Sequence, residues 1–367
     1  MCYTTSAKTN ASARCPESAS WRIDGTQMKN TKFIENNRKH IVCIGGGTGT
    51  FVALKGLKHS PHHLSAIVAM SDSGGSNKRI RDEFGLLPTS DIRQCLVALS
   101  DENGGAGILR KLFMYRFEKG RGITGMTFGN LFMAALTDIF GSQKEAIRAT
   151  GKVLRIQGTV IPVSFTNTNL IAEYENGQIL SEEHLIDEPK HDGTMKITRV
   201  YLKPRAAANP EALDAISKAD LIVFGPGDLY TSVIPNLLVD GIPDVIATSH
   251  AKKVYVVNLM TKYGQTYGFT AADHLRTIQQ YAGVIDAIVV NTAPLQKPAL
   301  AVYAKFHEFP VTDDLVHSPS LKVLRSNVAS RHVAAKSKSD MLVRSLIRHD
   351  STKLAAILLN FLEKEQL

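Results

Sequence analysis

Residues 41–49 read Ile41-Val42-Cys43-Ile44-Gly45-Gly46-Gly47-Thr48-Gly49, and apolar residues then recur at Phe51, Leu54 and Leu57. A short apolar run, a glycine-rich turn and a 3.6-residue period in immediate succession predict strand, tight turn and helix. The next apolar run, Ala66-Ile67-Val68-Ala69-Met70, ends in a second polar, glycine-rich turn, Ser71-Asp72-Ser73-Gly74-Gly75-Ser76. Further runs at Leu221–Phe224, Val254–Val257 and Ala287–Val290 alternate with helical stretches, a pattern that implies βαβ crossovers. The expected fold class is α/β, a Rossmann-like, doubly wound and mostly parallel sheet.

Two elaborations interrupt that pattern. From about 91 to 154 the spacing is helical, which predicts a helical excursion beside the sheet. From about 158 to 203 the runs are short and partly alternating, and Asn176-Gly177 is a hairpin turn signal, so a small antiparallel elaboration is expected there. Three segments result: an extension over 1–39 read as poorly ordered, a ligand-binding domain over 40–320, and a basic segment with a final helix over 321–367. In that helix Leu354, Ile357, Leu358, Phe361 and Leu362 share one face, and Asp350 or Ser351 is its cap.

The chain has 367 residues, of which 44% are hydrophobic and 21% charged, enough for a sizeable core. Its net charge of +9 is carried by the ends. Residues 1–39 hold seven Lys/Arg and three Asp/Glu, residues 321–367 hold nine and four, and 27 of each sign remain between. Neither end has aromatic interleaving or a nucleic-acid motif, so no nucleic-acid partner is expected. No apolar run of membrane-spanning length and no signal-peptide core is present, and the four cysteines lack CxxC spacing. The expectation is a cytoplasmic protein with reduced cysteines and no thiolate metal site.

In an open parallel sheet, ligands bind beyond the carboxyl ends of the strands. The turn Gly45, Gly46, Gly47, Thr48, Gly49 can turn its N–H groups toward a phosphate, or it can be a purely structural turn. It is neither a Walker A motif nor a strict dinucleotide fingerprint, because Thr50 stands where the third glycine would be. In the second loop Asp72, with Gly74, Gly75 and Ser76, either meets a ribose hydroxyl or Mg²⁺ or caps the turn. The third loop gathers Gly225, Gly227, Asp228, Tyr230, Thr231 and Ser232, and a fourth offers Asn258 and Thr261. Asp91 and Arg93 sit in the first turn of a helix, where a structural role competes with a ligand role. The histidines His59, His62 and His63 read as a solvated loop.

Taken in order, Gly45 to Gly49, Asp72 with Gly74 to Ser76, Pro88 with Asp91-Ile92-Arg93, Phe128-Gly129-Asn130-Leu131, Gly225-Pro226-Gly227 through Ser232, Asn258-Leu259-Met260-Thr261 and Gly268-Phe269-Thr270 resemble the gluconeogenesis factor family. This is the YvcK-like branch of the superfamily that includes the 2-phospho-L-lactate transferases (CofD-like), and the resemblance covers about residues 40 to 362. It implies a protein that binds a UDP-sugar, UDP-N-acetylglucosamine foremost, and is needed for cell shape, envelope synthesis and growth on gluconeogenic carbon sources. It also implies a homodimer, envelope-synthesis partners and no accepted reaction. Carried over by motif, the ligand-contacting positions include Asn130 and Arg348, the latter in Arg348-His349-Asp350.

Three departures bear on chemistry. Ser73 replaces a usual second aspartate, Gly125-Met126-Thr127 stands where Gly-His-Ser is common, and Asp228 replaces a serine. They weaken a carboxylate-held Mg²⁺, remove a candidate acid or base, and add negative charge near the expected phosphates. The leading expectation is therefore a UDP-sugar-binding regulator with no firmly implied cofactor. The alternatives are a Mg²⁺-dependent transferase of a phosphorylated group and a dinucleotide redox enzyme, the latter disfavoured by the imperfect fingerprint.

Overall fold

The computed structural model describes residues 38–102, 104–333 and 346–364. Apart from Arg38 and Lys39, the extension expected over 1–39 lies outside them. Seven strands form the main sheet: β1 (His40–Gly45), β2 (His63–Val68), β3 (Thr159–Pro162), β7 (Leu221–Phe224), β8 (Lys252–Val256), β9 (Ala287–Asn291) and β10 (Lys322–Ser326), in the spatial order β10-β9-β8-β7-β1-β2-β3. Every pairing is parallel, with Ile44 opposite Ile67 on one side and Phe224 on the other. From β1 the main sheet builds outward through β2 and β3, and the chain then returns to lay β7 on the other flank of β1. The order therefore reverses between β1 and β7, and the loops leaving those two strands diverge to open a crevice.

The strands are apolar on both faces because both are covered. Val42 and Ile44 join Ile222, Phe224 and Tyr255 in one core, while Ile41 and Cys43 join Leu54, Leu57, Leu96 and Leu354 in the other. Burial pushes the Cys43 thiol up to about 12 and Cys95 well above its ordinary value, and both cysteines are free. Among the described residues no helix is long and apolar enough to cross a membrane.

Helices Ser90–Leu99, Gly104–Met114, Phe128–Phe140 and Gln143–Val153 fill the interval after β2. A second, antiparallel sheet has the order β5-β4-β6, from β4 (Asn169–Tyr174), β5 (Ile179–Ser181) and β6 (Ile197–Lys203), with Gly177 at φ +81° in the hairpin. Two expectations need correction. The run Val160–Val163, grouped with the antiparallel strands, supplies β3, a parallel edge strand paired with β2, because its flanking helix returns it to the main sheet. The main sheet also does not stop at 320: the exposed strand β10 pairs with β9, and its five polar-mixed residues carry too weak an apolar signal to be seen in sequence.

The helix Gly47–Leu57 packs on the last helix, Ser351–Glu363, whose N-cap is Asp350, its carboxylate accepting from the Thr352 and Lys353 N–H groups at 3.0 and 3.1 Å. Gly56 permits that approach, since a Cβ there would collide with the Ser351 carbonyl. Gly56→Ala is accordingly expected to destabilise the protein by about 1–3 kcal/mol, as overpacking does, despite alanine's better helix propensity. Urea unfolding of the variant beside Gly85→Ala checks it. Gly85 is left-handed with open space around it, so its penalty comes from backbone strain alone.

Candidate functional site

A cavity of about 770 Å³ opens where the β1 and β7 loops part. Its floor is backbone. The β7 loop folds under the β1 loop, with the Gly225 N–H donating to Ile44 C=O at 2.9 Å and Thr50 Oγ1 to Pro226 C=O at 3.4 Å. A Cβ on Gly49 would overlap the Pro226 carbonyl, and one on Gly46 would overlap the Asp91 carboxylate. Gly47 and Gly225, at φ +62° and +72°, turn the two loops. Close approach, more than phosphate access alone, thus accounts for the glycines.

Fifteen of the positions singled out in sequence line this cavity: Gly46, Gly47, Thr48, Gly49, Asp72, Gly74, Asp91, Arg93, Gly227, Asp228, Thr231, Ser232, Asn258, Thr261 and Arg348. Gly45 and Gly225 lie beneath it at the strand ends. Gly75 and Ser76 open the helix Gly75–Phe84. Asn130 is fully buried behind Arg93, taking its Nε–H at 3.0 Å, and Gly129 lets the helix come close enough, since a Cβ there would strike the Arg93 side chain. Tyr230 is buried in the core with its ring edge-on to Phe269, 6.5 Å away, and does not face the cavity. Asn258 Oδ1 accepts from Gly227 N–H at 3.3 Å and so braces the third loop.

Several lining residues gave no sequence signal. Glu183 and Asp187 come from a short helix after β5, so the antiparallel sheet hangs acidic groups over the cavity. Lys262 is 8% exposed and clamped between Asp187, at 2.5 Å, and Asp228, at 2.8 Å. That ion pair balances the charge that Asp228 adds. Asn77, 1% exposed, ties the second loop to the helix Ser90–Leu99: its Nδ2 donates to Asp72, and its Oδ1 accepts from the Thr89 and Ser90 N–H groups, both at 3.2 Å, and from Ser90 Oγ at 2.9 Å.

The carboxyl groups crowd one another. Burial first, then the neighbouring carboxylates, pushes Glu183 well above the usual range; burial also raises Asp72. The negative charge of Asp72 is the first of those neighbours for Glu183. Asp91, held up to about 7 by burial and by Asp72, accepts from the Gly47 N–H. Facing these are Arg79, Arg93, Arg116, Lys262 and Arg348. Burial lowers Arg93 to about 10, which leaves it cationic at neutral pH.

A Mg²⁺ ion fits this wall poorly. Asp72 already takes the Gly74 N–H at 2.8 Å and Asn77 Nδ2, and Ser73 Oγ lies 3.1 Å from His184 Nδ1.

A family model described as 2-phospho-L-lactate transferase CofD matches residues 41–329. The gluconeogenesis factor of Bacillus subtilis is 39% identical over 329 residues, covering 88% of this chain and 98% of its own. That of Halalkalibacterium halodurans is 42% identical over 325 residues, with 88% and 96% covered. The crystal structure of a UPF0052 family member from Bacillus halodurans superposes with a TM-score of 0.79 at 38% identity, over 88% of this chain and 99% of that one.

The unfolded chain releases an aspartate proton near pH 4, the folded chain releases that of Asp91 only near 7. Its ionisation therefore burdens the fold above about pH 7, and the burden is shed as pH falls toward 4. Asp91→Asn is expected to raise the melting temperature at pH 8, with the gain shrinking to nothing by about pH 4. Paired melts of the two proteins across that range check it; a gain that grows on acidification would contradict the assignment.

Proposed function

Because this chain belongs to the gluconeogenesis factor family, within the 2-phospho-L-lactate transferase (CofD) superfamily, we propose that it binds a UDP-sugar, UDP-N-acetylglucosamine foremost, as a regulator and not as a catalyst. The observation that carries this reading is the polarity of the cavity at the switch point. Its cations suit a diphosphate, with Arg348 able to meet phosphate oxygens through two N–H groups. Its carboxyl groups suit the hydroxyls of a ribose and a sugar, which donate hydrogen bonds to them. About 770 Å³ lies within the usual range for a small-molecule pocket.

Two features favour binding over turnover. Where the family commonly has a histidine, this chain has Met126, buried at 2% exposure and without acid or base capacity. Asp72 is also engaged by the Gly74 N–H and by Asn77 Nδ2, which favours reception of neutral hydroxyls over capture of a metal. On this reading the protein acts in the cytoplasm as a homodimer, and passes the level of a nucleotide sugar to proteins of envelope synthesis and carbon metabolism. A transferase of a phosphorylated group is the second reading, favoured by the family model that spans residues 41–329.

Calorimetric titration with UDP-N-acetylglucosamine, UDP-glucose and GDP, each with and without Mg²⁺, separates the two. The expected outcome is metal-independent binding of a UDP-sugar that is recovered unchanged. Arg348→Ala is expected to weaken it about 10- to 100-fold, the cost of losing charge-assisted hydrogen bonds. Preference for GDP with Mg²⁺ would favour the transferase.

A further inference from the structure

The hairpin 115–127 follows the helix Gly104–Met114 and carries Arg116, Thr124 and Gly125 into the wall of the cavity. Its stem is two-stranded. Phe117 N–H donates to the Met126 carbonyl and Phe128 N–H to that of Tyr115, both at 2.9 Å, and Gly125 N–H donates to the Phe117 carbonyl at 2.8 Å. The foot of the stem is anchored, because Met126 and Thr127 are buried and the Phe128 ring lies edge-on to Phe113, 5.9 Å away. Residues 118–124, the tip, are all exposed.

The tip holds together as a unit. Thr124 Oγ1 and the Thr124 and Ile123 N–H groups converge on the Gly120 carbonyl, at 2.7, 3.1 and 3.3 Å, and Gly120 and Gly122, at φ +104° and +85°, make the turns. A two-stranded hairpin is marginal in water by itself, so the resting place of the tip depends on what grips it from outside. Arg79, on the helix Gly75–Phe84, supplies that grip: its Nη1 donates to the Thr124 carbonyl at 3.1 Å and its Nη2 to that of Gly122. Among the described residues, the other hydrogen bonds of the tip close on the hairpin itself.

Arg79 also lines the cavity, with its Nε 3.5 Å from Glu83. Nη1 and Nη2 each carry a second N–H, so the guanidinium can hold the tip and meet an anion in the cavity at once. Bonds to an anion are stronger than those to a neutral carbonyl, and an anion that orients the guanidinium therefore steadies the latch. The hairpin adds a cation of its own: Arg116, after burial, is the main influence lowering Arg93, and an anion between these two guanidinium groups attracts both.

We propose that the hairpin 115–127 is a lid on the cavity, latched by Arg79, which closes on an anionic ligand. The identity of that ligand rests on the UDP-sugar reading of the cavity; the latch does not.

Trypsin cuts after Lys119 and Arg121, both in the exposed tip, and cleavage of a briefly opened segment follows the population of its open form. Fragment masses from the full-length protein separate cleavage at the tip from cleavage elsewhere. Without ligand, Arg79→Gln, which alters a partly exposed side chain, is expected to speed cleavage at the tip about tenfold, with core sites unaffected. Arg79→Lys, which keeps a donating cation, is expected to recover part of the protection. A tip cut no faster in Arg79→Gln than in the wild type overturns the latch. At about a hundredfold excess over its Kd, UDP-N-acetylglucosamine is expected to slow wild-type cleavage at the tip about tenfold or more, by mass action on the closed form, and to slow it less in Arg79→Gln. Calorimetric binding with no slowing at the tip overturns the lid. Absence of binding would instead sink the UDP-sugar reading, and the comparison made without ligand would still decide the latch.

Discussion

Everything at the candidate site depends on how closely two stretches of backbone approach at the centre of the sheet. Gly49 lies against the Pro226 carbonyl with no room for a Cβ, and Gly225 donates to Ile44. A side chain at Gly49 would force the β1 and β7 loops apart, shifting both walls of the cavity and the Asn258 brace on Gly227. The approach also explains why strand order reverses here without a gap: β7 pairs with β1 along Ile41 to Ile44 before the loops diverge.

Above that floor the cavity is an electrostatic compromise. Carboxyl groups from three segments, at Asp72, at Asp91 and on the short helix that carries Glu183 and Asp187, meet Arg79, Arg93, Arg116, Lys262 and Arg348. The Asp187–Lys262–Asp228 clamp shows how the molecule accommodates a charge at 228, since it brings a buried cation to it. Arg93 is likewise held by Asn130 from behind, so a residue that never reaches the cavity governs one that does.

Much of this was legible in the sequence, because the strand ends in a parallel sheet are where glycine and small polar residues must follow a buried apolar run. Gly45 to Gly49, Asp72 and Gly225 to Ser232 announced themselves in that way. What escaped did so for physical reasons. Glu183, Asp187 and Lys262 reach the cavity through tertiary folding of the antiparallel sheet and a loop, and nothing in their local pattern separates them from solvated charges. Nothing in the local pattern marks Asn77, although its amide joins the second loop to the start of the helix Ser90–Leu99. Tyr230 was misleading in the opposite sense: its neighbours Thr231 and Ser232 face the cavity, while a π-type turn over Leu229–Val233 sends its ring into the core.

The contact of the helix Gly47–Leu57 with the helix Ser351–Glu363 joins parts of the chain that are made far apart in time. As the chain leaves the ribosome, β1 and its helix emerge with one face apolar and without two of their partners, since β7 follows about 180 residues later and the last helix about 300. Such separations in sequence slow folding and leave strand edges exposed meanwhile. The cavity cannot close its wall until Arg348 and the helix behind it have been synthesised. A chain that stops short of Arg348 holds the strands of the sheet and lacks that wall of the site.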